Sequence, residues 1–312
     1  MISSQPSREQ VIAYLRANRN WGRWPQAPER GAANLITPER IAAAAASVRD
    51  GVTISLSRDF PTVAGRDNER PAQLHVMDPV RRGAGGMVLD YISTACHGMA
   101  STHIDALCHV WDADGMWEGH APADSIGFDG VRWGSIEHWS DGLVTRGVLF
   151  DVPAFRGTDY VTQDEPVHGW ELAEIAAKNG VTVQAGDAIV VHSGREAWER
   201  QRPPAAEHGG RGGLITGEPR PGLDASCLWY LRESDAAVLV WDLMDMIPNA
   251  YQLVWSVHSA IWAFGVALVD NALLTPLAEY CRVRGRVDFM LTVAPLKIPG
   301  GTGSPVNPVA VL

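Results

Sequence analysis

The sequence predicts a single domain of the α/β or α+β class. Short apolar segments rich in β-branched residues, such as 188–192 and 237–242, are typical of buried strands. Segments with helical periodicity lie between them, and the two kinds alternate irregularly along the 312 residues. A chain of this length can form one large domain or two small ones. Because no repeat, low-complexity tract or flexible linker divides the chain, one domain is favoured.

Helices are predicted where apolar residues recur every three or four positions. The first covers residues 7–19, with Val11 and Leu15 on the apolar side. Thr37 and Pro38 supply an N-cap and a first helical residue for a second helix, which continues to about residue 48. Later helices are predicted over residues 171–178, 223–232 and 258–264.

Strands are predicted over 52–57, 87–92, 147–152, 188–192, 237–242, 266–269 and 289–293. In three other segments the apolar residues follow neither the helical nor the strand period. Asn20 to Ala33 is rich in Trp, Pro and Gly, which indicates an ordered arm lying over another surface. Residues 201–221 are rich in Gly and Pro and are predicted to form a mobile lid or a crossing loop. The tail from Pro295 to Pro305 is predicted to be loop.

Composition restricts the functional classes open to the chain. The net charge of −10 argues against nucleic acid and anionic membranes as partners, because both attract basic surfaces. No apolar run reaches the roughly 18 residues of a membrane span, and we find no signal peptide. The four cysteines, which form no C-x-x-C pair, are expected to be reduced thiols in a cytoplasmic protein.

The stretch most informative about function runs from Thr102 to His109, with the sequence THIDALCH. His103, Asp105 and His109 are separated by two and four positions, and even spacing places all three on one face of an extended strand. On a helix, His103 and Asp105 would diverge by about 200° and could not face one ion. Imidazole and carboxylate suit Zn²⁺, Mn²⁺ or Fe²⁺. The pattern favours a metal-binding strand over the alternative, a strand edge with satisfied polar residues.

Other candidate motifs are weaker. Cys96 and Cys108 flank His97 and His109, but buried inert thiols are more common than a thiolate zinc site at such positions. Asp242 and Asp245 end a predicted strand, where they could approach a site or serve as structural carboxylates. Surface or core positions are expected for the histidines that have no partner at ligand spacing, namely His75, His120, His138, His168, His192 and His208.

The stretch from Thr102 to His109 resembles the H-x-G-T-H-x-D-x-P-x-H signature of the cyclase superfamily, which includes bacterial kynurenine formamidase and isatin hydrolase. The resemblance covers most of the chain from about residue 20 onward. Further similar segments follow in the family's order and comprise residues 146–151, 186–191, 258–271 and 295–305.

The resemblance implies a swivelling β/β/α domain over residues 51–312, preceded by an N-terminal helical arm over residues 1–50. It also implies a bound divalent metal ion, Zn²⁺ or Mn²⁺, a homo-oligomer (dimer or tetramer) and a small cyclic or aromatic substrate. The family's ligands correspond to His103 and Asp105. His109 corresponds to a second-metal ligand or a catalytic base.

The sequence departs from the family pattern at the first ligand, which is Met99 here, and a thioether is a poor ligand for Zn²⁺ or Mn²⁺. His97 lies two residues earlier and would replace that ligand if a turn at Gly98 shortened the distance. A role for His97 in contacting substrate or supporting the ligands is the equal alternative. The family's later acid, usually Glu or Gln, is Asp270 here.

Three functional hypotheses follow. The first is a metal-dependent amidohydrolase that cleaves the C–N bond of a small cyclic or aryl amide with a metal-activated water. The second is a metal-poor cyclase, dehydratase or isomerase that uses His109 and His258 as acid and base. The third is a non-catalytic binder of small molecules. The candidate residues are His97, His103, Asp105 and His109 for the metal, His109, His258 and Asp270 for catalysis, and Trp111 and Met99 for substrate contact.

Overall fold

The structure is a computed structural model that describes residues 2–82, 85–202 and 219–312. The helices are α1 (Arg8–Ala17), α2 (Pro38–Ala46), α3 (Pro122–Ser125), α4 (Val152–Arg156), α5 (Gly169–Lys178), α6 (Arg195–Gln201), α7 (Cys227–Glu233), α8 (Ser259–Phe264) and α9 (Thr275–Arg284). Short 3₁₀ helices cover Pro28–Leu35, Trp117–Gly119 and Ile136–Trp139. None of the helices in these ranges is long and apolar enough to cross a membrane.

The strands are β1 (Thr53–Ser55), β2 (Gln73–Arg82), β3 (Gly85–Ser93), β4 (His103–Asp105), β5 (Ile126–Gly127), β6 (Gly130–Val131), β7 (Leu143–Asp151), β8 (Ala188–His192), β9 (Val238–Trp241), β10 (Ala267–Asp270), β11 (Asp288–Val293), β12 (Gly303–Pro305) and β13 (Val309–Val311). Nine of them form one sheet in the order β1-β13-β11-β7-β8-β9-β10-β4-β12. β2 pairs with β3, and β5 pairs with β6, in separate hairpins.

The centre of the large sheet is parallel, from β7 through β8 and β9 to β10, whereas the outer pairs are antiparallel. β8 and β9 are buried along their whole length, which explains why they are apolar at every position except the final His192 of β8. The carboxyl ends of parallel strands meet at one edge, which is where ligands bind in open α/β sheets. Here those ends carry Asp151, His192, Trp241 and Asp270.

The tail differs from its predicted loop conformation. Gly303–Pro305 forms β12, an edge strand that pairs antiparallel with β4. Tertiary pairing therefore outweighs the Gly- and Pro-rich composition, and Pro305 is tolerated because it lies on an edge strand. The sequence also missed β2 and β13.

Two other predicted segments need comment. The helix predicted over residues 223–232 begins only at Cys227, because the backbone of Leu223 bonds to the carbonyl of Met244 and to the N–H of Met246. The segment predicted as a lid or crossing loop covers residues 201–221. Residues 203–218 of it, which include His208, lie outside the described residues.

The predicted N-terminal arm is ordered, and the surface that it covers is α8 of the same chain. Asn20 donates to the carbonyls of Ala263 and Phe264, and the indole of Trp21 donates to that of Trp262. The backbone of the arm then approaches the end of α8 so closely that a Cβ at Gly31 would lie 2.5 Å from the carbonyl oxygen of Gly265. The arm thus fixes α1 beside α8.

Candidate metal centre

Six side chains converge where β4 pairs with β10: His97, His103, Asp105, His109, His258 and Asp270. Asp270, the last residue of β10, lies directly opposite His103 in the antiparallel pair. Directly opposed side chains share one face of a sheet. His258 immediately precedes α8, the helix that leads into β10.

His103 and Asp105 share the site face of β4, as their even spacing predicts, and His103 Nε2 lies 3.4 Å from Asp105 Oδ1. The prediction that His109 continues the same strand is wrong, because β4 ends at Asp105. The chain turns instead, with the N–H of His109 donating to the carbonyl of Ala106. The turn returns His109 Nε2 to 3.8 Å from Asp105 Oδ2, so the ring still borders the cluster.

His97 also lies in the cluster, with Nδ1 3.0 Å from Asp105 Oδ1. Residues 97–100 bend, and Gly98 has a φ of +124°, a conformation that other residues rarely adopt. The predicted turn at Gly98 is therefore present. Room for the imidazole depends on Gly303 of β12, where a Cβ would lie 2.7 Å from His97 Cε1.

Met99, the position of the family's first ligand, is buried in the hydrophobic core. Its carbonyl accepts a hydrogen bond of 2.6 Å from the buried guanidinium of Arg195. Met99 does not line the cavity beside His109 that is described below, whereas Trp111 does.

Three hydrogen bonds set the orientation of the cluster. His103 Nδ1 donates to the carbonyl of Ser101 at 2.8 Å, and His258 Nδ1 donates to Asp245 Oδ2 at 2.8 Å. Each bond directs the Nε2 atom of its ring towards the cluster. The indole of Trp241 donates to Asp270 Oδ1, which leaves Oδ2 facing His258. Partners of this kind are typical of residues that ligate metal.

Asp105 is the electrostatic centre of the site. Its exposed fraction is 0%, and neither carboxylate oxygen has a hydrogen-bond donor. His97 Nδ1 is buried and lacks a hydrogen-bond partner as well. A buried carboxylate is very costly unless a cation compensates it. Atoms that approach closely without hydrogen-bond geometry, as His97 Nδ1 and Asp105 Oδ1 do, are arranged like ligands that face a common ion.

The imidazoles respond differently to this carboxylate. Burial lowers the pKa of His97, but the nearby Asp105 and Cys96 outweigh burial and raise the pKa to about 10 when no cation is bound, so a divalent ion would have to displace this proton. Burial lowers the pKa of His258 too, yet Asp245 and Asp270 hold that pKa well above its usual value. For His109, burial and the neighbouring His97 and His258 win over Asp105 and lower the pKa to about 4. His109 is therefore neutral at pH 7.

The distances fit a divalent cation. Two ligands that lie about 2.1 Å from one tetrahedral ion are about 3.4 Å apart. The observed separations in the cluster range from 3.0 Å (His97 to Asp105) to 3.9 Å (His103 to Asp270). Two groups of three potential ligands share Asp105. One group adds His97 and His103 to it, and the other adds His258 and Asp270. Neutral imidazoles and carboxylates are the ligands that Zn²⁺ and Mn²⁺ accept.

A cavity of about 670 Å³ opens beside His109. His109 lines it together with Trp111 and Trp255, and the Trp255 ring centroid lies 5.3 Å from that of His258. The exposed faces of the site belong to His97 and His109, whose side chains are 22% and 17% exposed. Access to the cluster from this cavity therefore passes His109.

Sequence reasoning missed the residues that hold the His97 bend in place. Asn271 donates from Nδ2 to the carbonyls of Gly98 and Ser101, at 2.7 and 3.0 Å. Arg195 binds both Asn271 Oδ1 and the carbonyl of Met99. The signal available for Asn271 was its position directly after the site acid Asp270. No local sequence pattern marks Arg195, which lies far in the sequence from both Met99 and Asn271.

A second group of potential ligands contains His192, Glu196 and Asp242. Their atoms already have partners: His192 bonds to Asp151, Glu196 accepts from Thr275, and Asp242 accepts from three backbone N–H groups of residues 193–195. This group therefore stabilises the carboxyl edge of the sheet without requiring an ion.

The cysteines fit the expectation of inert thiols in part. All four are free, and burial raises the pKa of Cys108 to about 12. Burial also opposes ionisation of Cys96, but His97 outweighs it and lowers the pKa of that thiol.

The fold and site define an α/β protein with a His/Asp cluster suited to a divalent metal ion. The family model described as "Putative cyclase" matches residues 51–246, more than half of the chain. The chain therefore belongs to the cyclase family. No curated protein sequence matches it significantly.

Solved structures confirm the predicted fold. A structure described as a novel cyclase is 28% identical, with a TM-score of 0.83, and the alignment covers 96% of this chain and 99% of that one. Isatin hydrolase A from Ralstonia solanacearum is 15% identical over 99% of both chains, with a TM-score of 0.56. Isatin hydrolase A from Labrenzia aggregata is 16% identical, covers 87% of this chain and 97% of its own, and has a TM-score of 0.51. The latter two similarities concern the fold alone.

Proposed function

We propose that this protein is a metal-dependent hydrolase that cleaves the C–N bond of a small cyclic or aryl amide. The observation that carries the proposal is the fully buried Asp105, whose two oxygens accept no hydrogen bond although four imidazoles lie within 4 Å of them. Membership of the cyclase family and a fold shared with isatin hydrolases support an enzyme of this class.

The proposed ligands are His97, His103, Asp105, His258 and Asp270, and the proposed ion is Zn²⁺ or Mn²⁺. When bound, such an ion would polarise the substrate carbonyl and lower the pKa of a water molecule towards about 7. Asp245 and Trp241 would hold His258 and Asp270 in position for it, through the hydrogen bonds described above.

His109 is the proposed general base. It is neutral at pH 7, borders the cluster through Nε2 and lines the cavity. His109 Nε2 would take a proton from the attacking water as the new C–O bond forms, and would return it to the nitrogen as the C–N bond breaks. Its stacking on His97, with ring centroids 3.9 Å apart, holds the ring in place.

The cavity beside His109 is the proposed substrate pocket. Trp111 and Trp255 offer flat apolar faces that suit an aromatic or cyclic substrate. Substrate contact by Met99 has no support from this cavity, which Met99 does not line.

The structure offers less support for a metal-poor acid–base enzyme. That hypothesis depends on the family ligand that is replaced by Met99. The imidazole of His97 lies 3.0 Å from Asp105 and would supply a substitute ligand.

The test is turnover of formanilide and isatin before and after removal of metal with a chelator. The proposal predicts hydrolysis that is lost on chelation and restored by Zn²⁺ or Mn²⁺. His109→Ala should lower kcat by about 100-fold or more while metal content stays unchanged. His138→Ala, at a histidine paired with Glu29, is the matched control. Hydrolysis that survives both chelation and His109→Ala would refute the proposal.

A further inference from the structure

We propose that helix α1 forms the outer wall of the substrate pocket and selects elongated, largely apolar substrates. This inference rests on the proposed function for the identity of the reacting end. The cavity that begins at His109 does not end at the cluster but continues along α1.

One face of α1 lines the cavity. The stripe begins at Arg8 and continues with Ile12, Leu15 and Arg16, which follow Arg8 by four, seven and eight positions. This spacing places all four residues on one side of the helix. At 1.5 Å per residue, the stripe is about 12 Å long. A ligand that contacts the whole stripe must therefore be extended.

The α1 stripe is apolar at Ile12 and Leu15 and carries an arginine at each end, whereas the facing walls are mainly apolar. They come from the loop that follows His109 and from the segment that precedes α8. The large side chains on these walls are Trp111, Leu253, Val254, Trp255 and Trp262. Because His109 stands among them, one end of an extended ligand would reach the proposed catalytic base.

The size of the cavity supports the same conclusion. A cavity of about 150 Å³ is sufficient to bind benzene. The cavity here, at about 670 Å³, lies within the range of about 300–1,000 Å³ that holds drug-sized ligands. A single-ring amide would occupy only a small part of it, so the structure favours a ring that carries a long apolar substituent.

Helix α1 is fixed firmly enough to act as a wall. Ser7 and Gln10 form a capping box at its start. Tyr14 stacks on Trp229 with ring centroids 4.0 Å apart, and Arg16 Nε donates to Asp114 at 2.9 Å.

The test measures binding of acetanilide, 4-propylacetanilide and 4-hexylacetanilide by calorimetry, which does not require turnover. Each added methylene should tighten binding about fourfold until the cavity is filled. Ile12→Trp, in the middle of the α1 stripe, should fill the part of the cavity that lies along the helix. It should weaken the hexyl compound about tenfold or more and leave acetanilide within about twofold.

The matched control is Ala13→Trp, an exposed position of the same helix that does not line this cavity. Val254→Trp, on the facing wall, gives a second variant should Ile12→Trp disturb folding, and Val283→Trp is its exposed control. Equal affinity across the three compounds, or equal effects of the wall and control variants, would overturn the inference. Chain-length dependence without hydrolysis of any amide would instead refute the proposed reaction alone.

Discussion

Single residues determine how the candidate site is assembled. Asp105 is placed by β4, but its surroundings come from residues far away in the sequence. The most instructive is Gly303, since the missing side chain at that position leaves space for the ring of His97. The same glycine lies on the edge strand that pairs with β4.

Gly303→Ala should therefore damage the site. The new methyl group would lie 2.7 Å from His97 Cε1 and 2.7 Å from the carbonyl oxygen of Ile104, so the imidazole must move. We expect metal affinity to fall about 10–100-fold, the usual cost of misplacing a group that supports a ligand. Isothermal titration with Zn²⁺ measures this.

The control for Gly303→Ala is Gly65→Ala, where nothing lies within 4 Å of the new Cβ. Equal metal affinity for the two variants and the wild type would show that His97 does not contribute to the site.

The sequence predicted the candidate metal ligands better than it predicted the residues that hold those ligands in position. Even spacing placed His103 and Asp105 correctly because the strand period is a local property. It failed for His109, since a strand of three residues is too short to continue to that position. Arg195 and Gly303 act through contacts across the fold, which no local pattern encodes.

Among the elements, the bend that presents His97 depends on the end of β10. Asn271 follows β10 with a positive φ of 56°, a conformation that Asn tolerates better than most residues. Its side chain bonds to the carbonyls of Gly98 and Ser101.

Asn271→Ala should lower both stability and metal affinity. The change removes the hydrogen bonds that the Asn271 side chain makes to the carbonyls of Gly98 and Ser101 and to the guanidinium of Arg195. We expect a loss of about 2–4 kcal/mol in the free energy of unfolding. Urea denaturation measures the change, with Asn179→Ala as the control at a helix C-cap. Equal losses in the two variants would contradict this role.

The pairing of β7 with β8 brings together Asp151 and His192, at 2.9 Å. Burial raises the pKa of Asp151, but His192 and Arg282 outweigh burial and lower it. Burial lowers the pKa of His192, but Asp151, Asp242 and Glu196 outweigh burial and raise it. The pair should therefore stabilise the fold most where Asp151 is ionised and His192 is protonated.

The lower limit of this pH interval is the pKa of Asp in the unfolded chain, about 3.9. The upper limit lies above the pKa of His in the unfolded chain, about 6.5, because folding raises the pKa of His192. The destabilisation caused by His192→Gln should be largest near pH 5–6. It should shrink as acid protonates Asp151 and as base deprotonates His192. Unfolding free energies across the pH range test this, and a pH-independent difference would argue against the ion pair.

Element types followed from the sequence more reliably than element ends. The apolar runs of β8, β9 and β10 were predicted correctly as strands, because burial on both faces requires continuous apolar residues. Their parallel pairing is known only from the structure. β12 was missed, since three residues rich in Gly and Pro become a strand only by pairing with β4.

For the whole molecule, the hairpin of β2 and β3 stands apart from the large sheet. Apolar side chains on it are 44–64% exposed, and they occupy consecutive positions of β3, so both of its faces are apolar. An isolated two-stranded hairpin is only marginally stable in water. We propose that a second copy of the chain covers it. The exposed residues are Leu74, Val76, Met77, Met87, Val88, Leu89, Tyr91 and Ile92.

The double variant Val88→Glu/Ile92→Glu should therefore reduce the assembly state, because two charges would be buried on one face of the interface. Light scattering after size-exclusion chromatography gives the mass. Val63→Glu/Val283→Glu, at sites that are 79% and 85% exposed, is the control. A wild-type protein that is monomeric, or a hairpin variant of unchanged mass, would contradict the proposal.

The metal content of protein purified without a chelator, measured by elemental mass spectrometry, tests the proposed metal site. We predict about one divalent ion per chain, because the imidazole and carboxylate ligands converge on Asp105. The double variant His103→Ala/Asp105→Ala should lose it, whereas the exposed His75→Ala should not. Equal metal content in the double variant and the wild type would contradict the site.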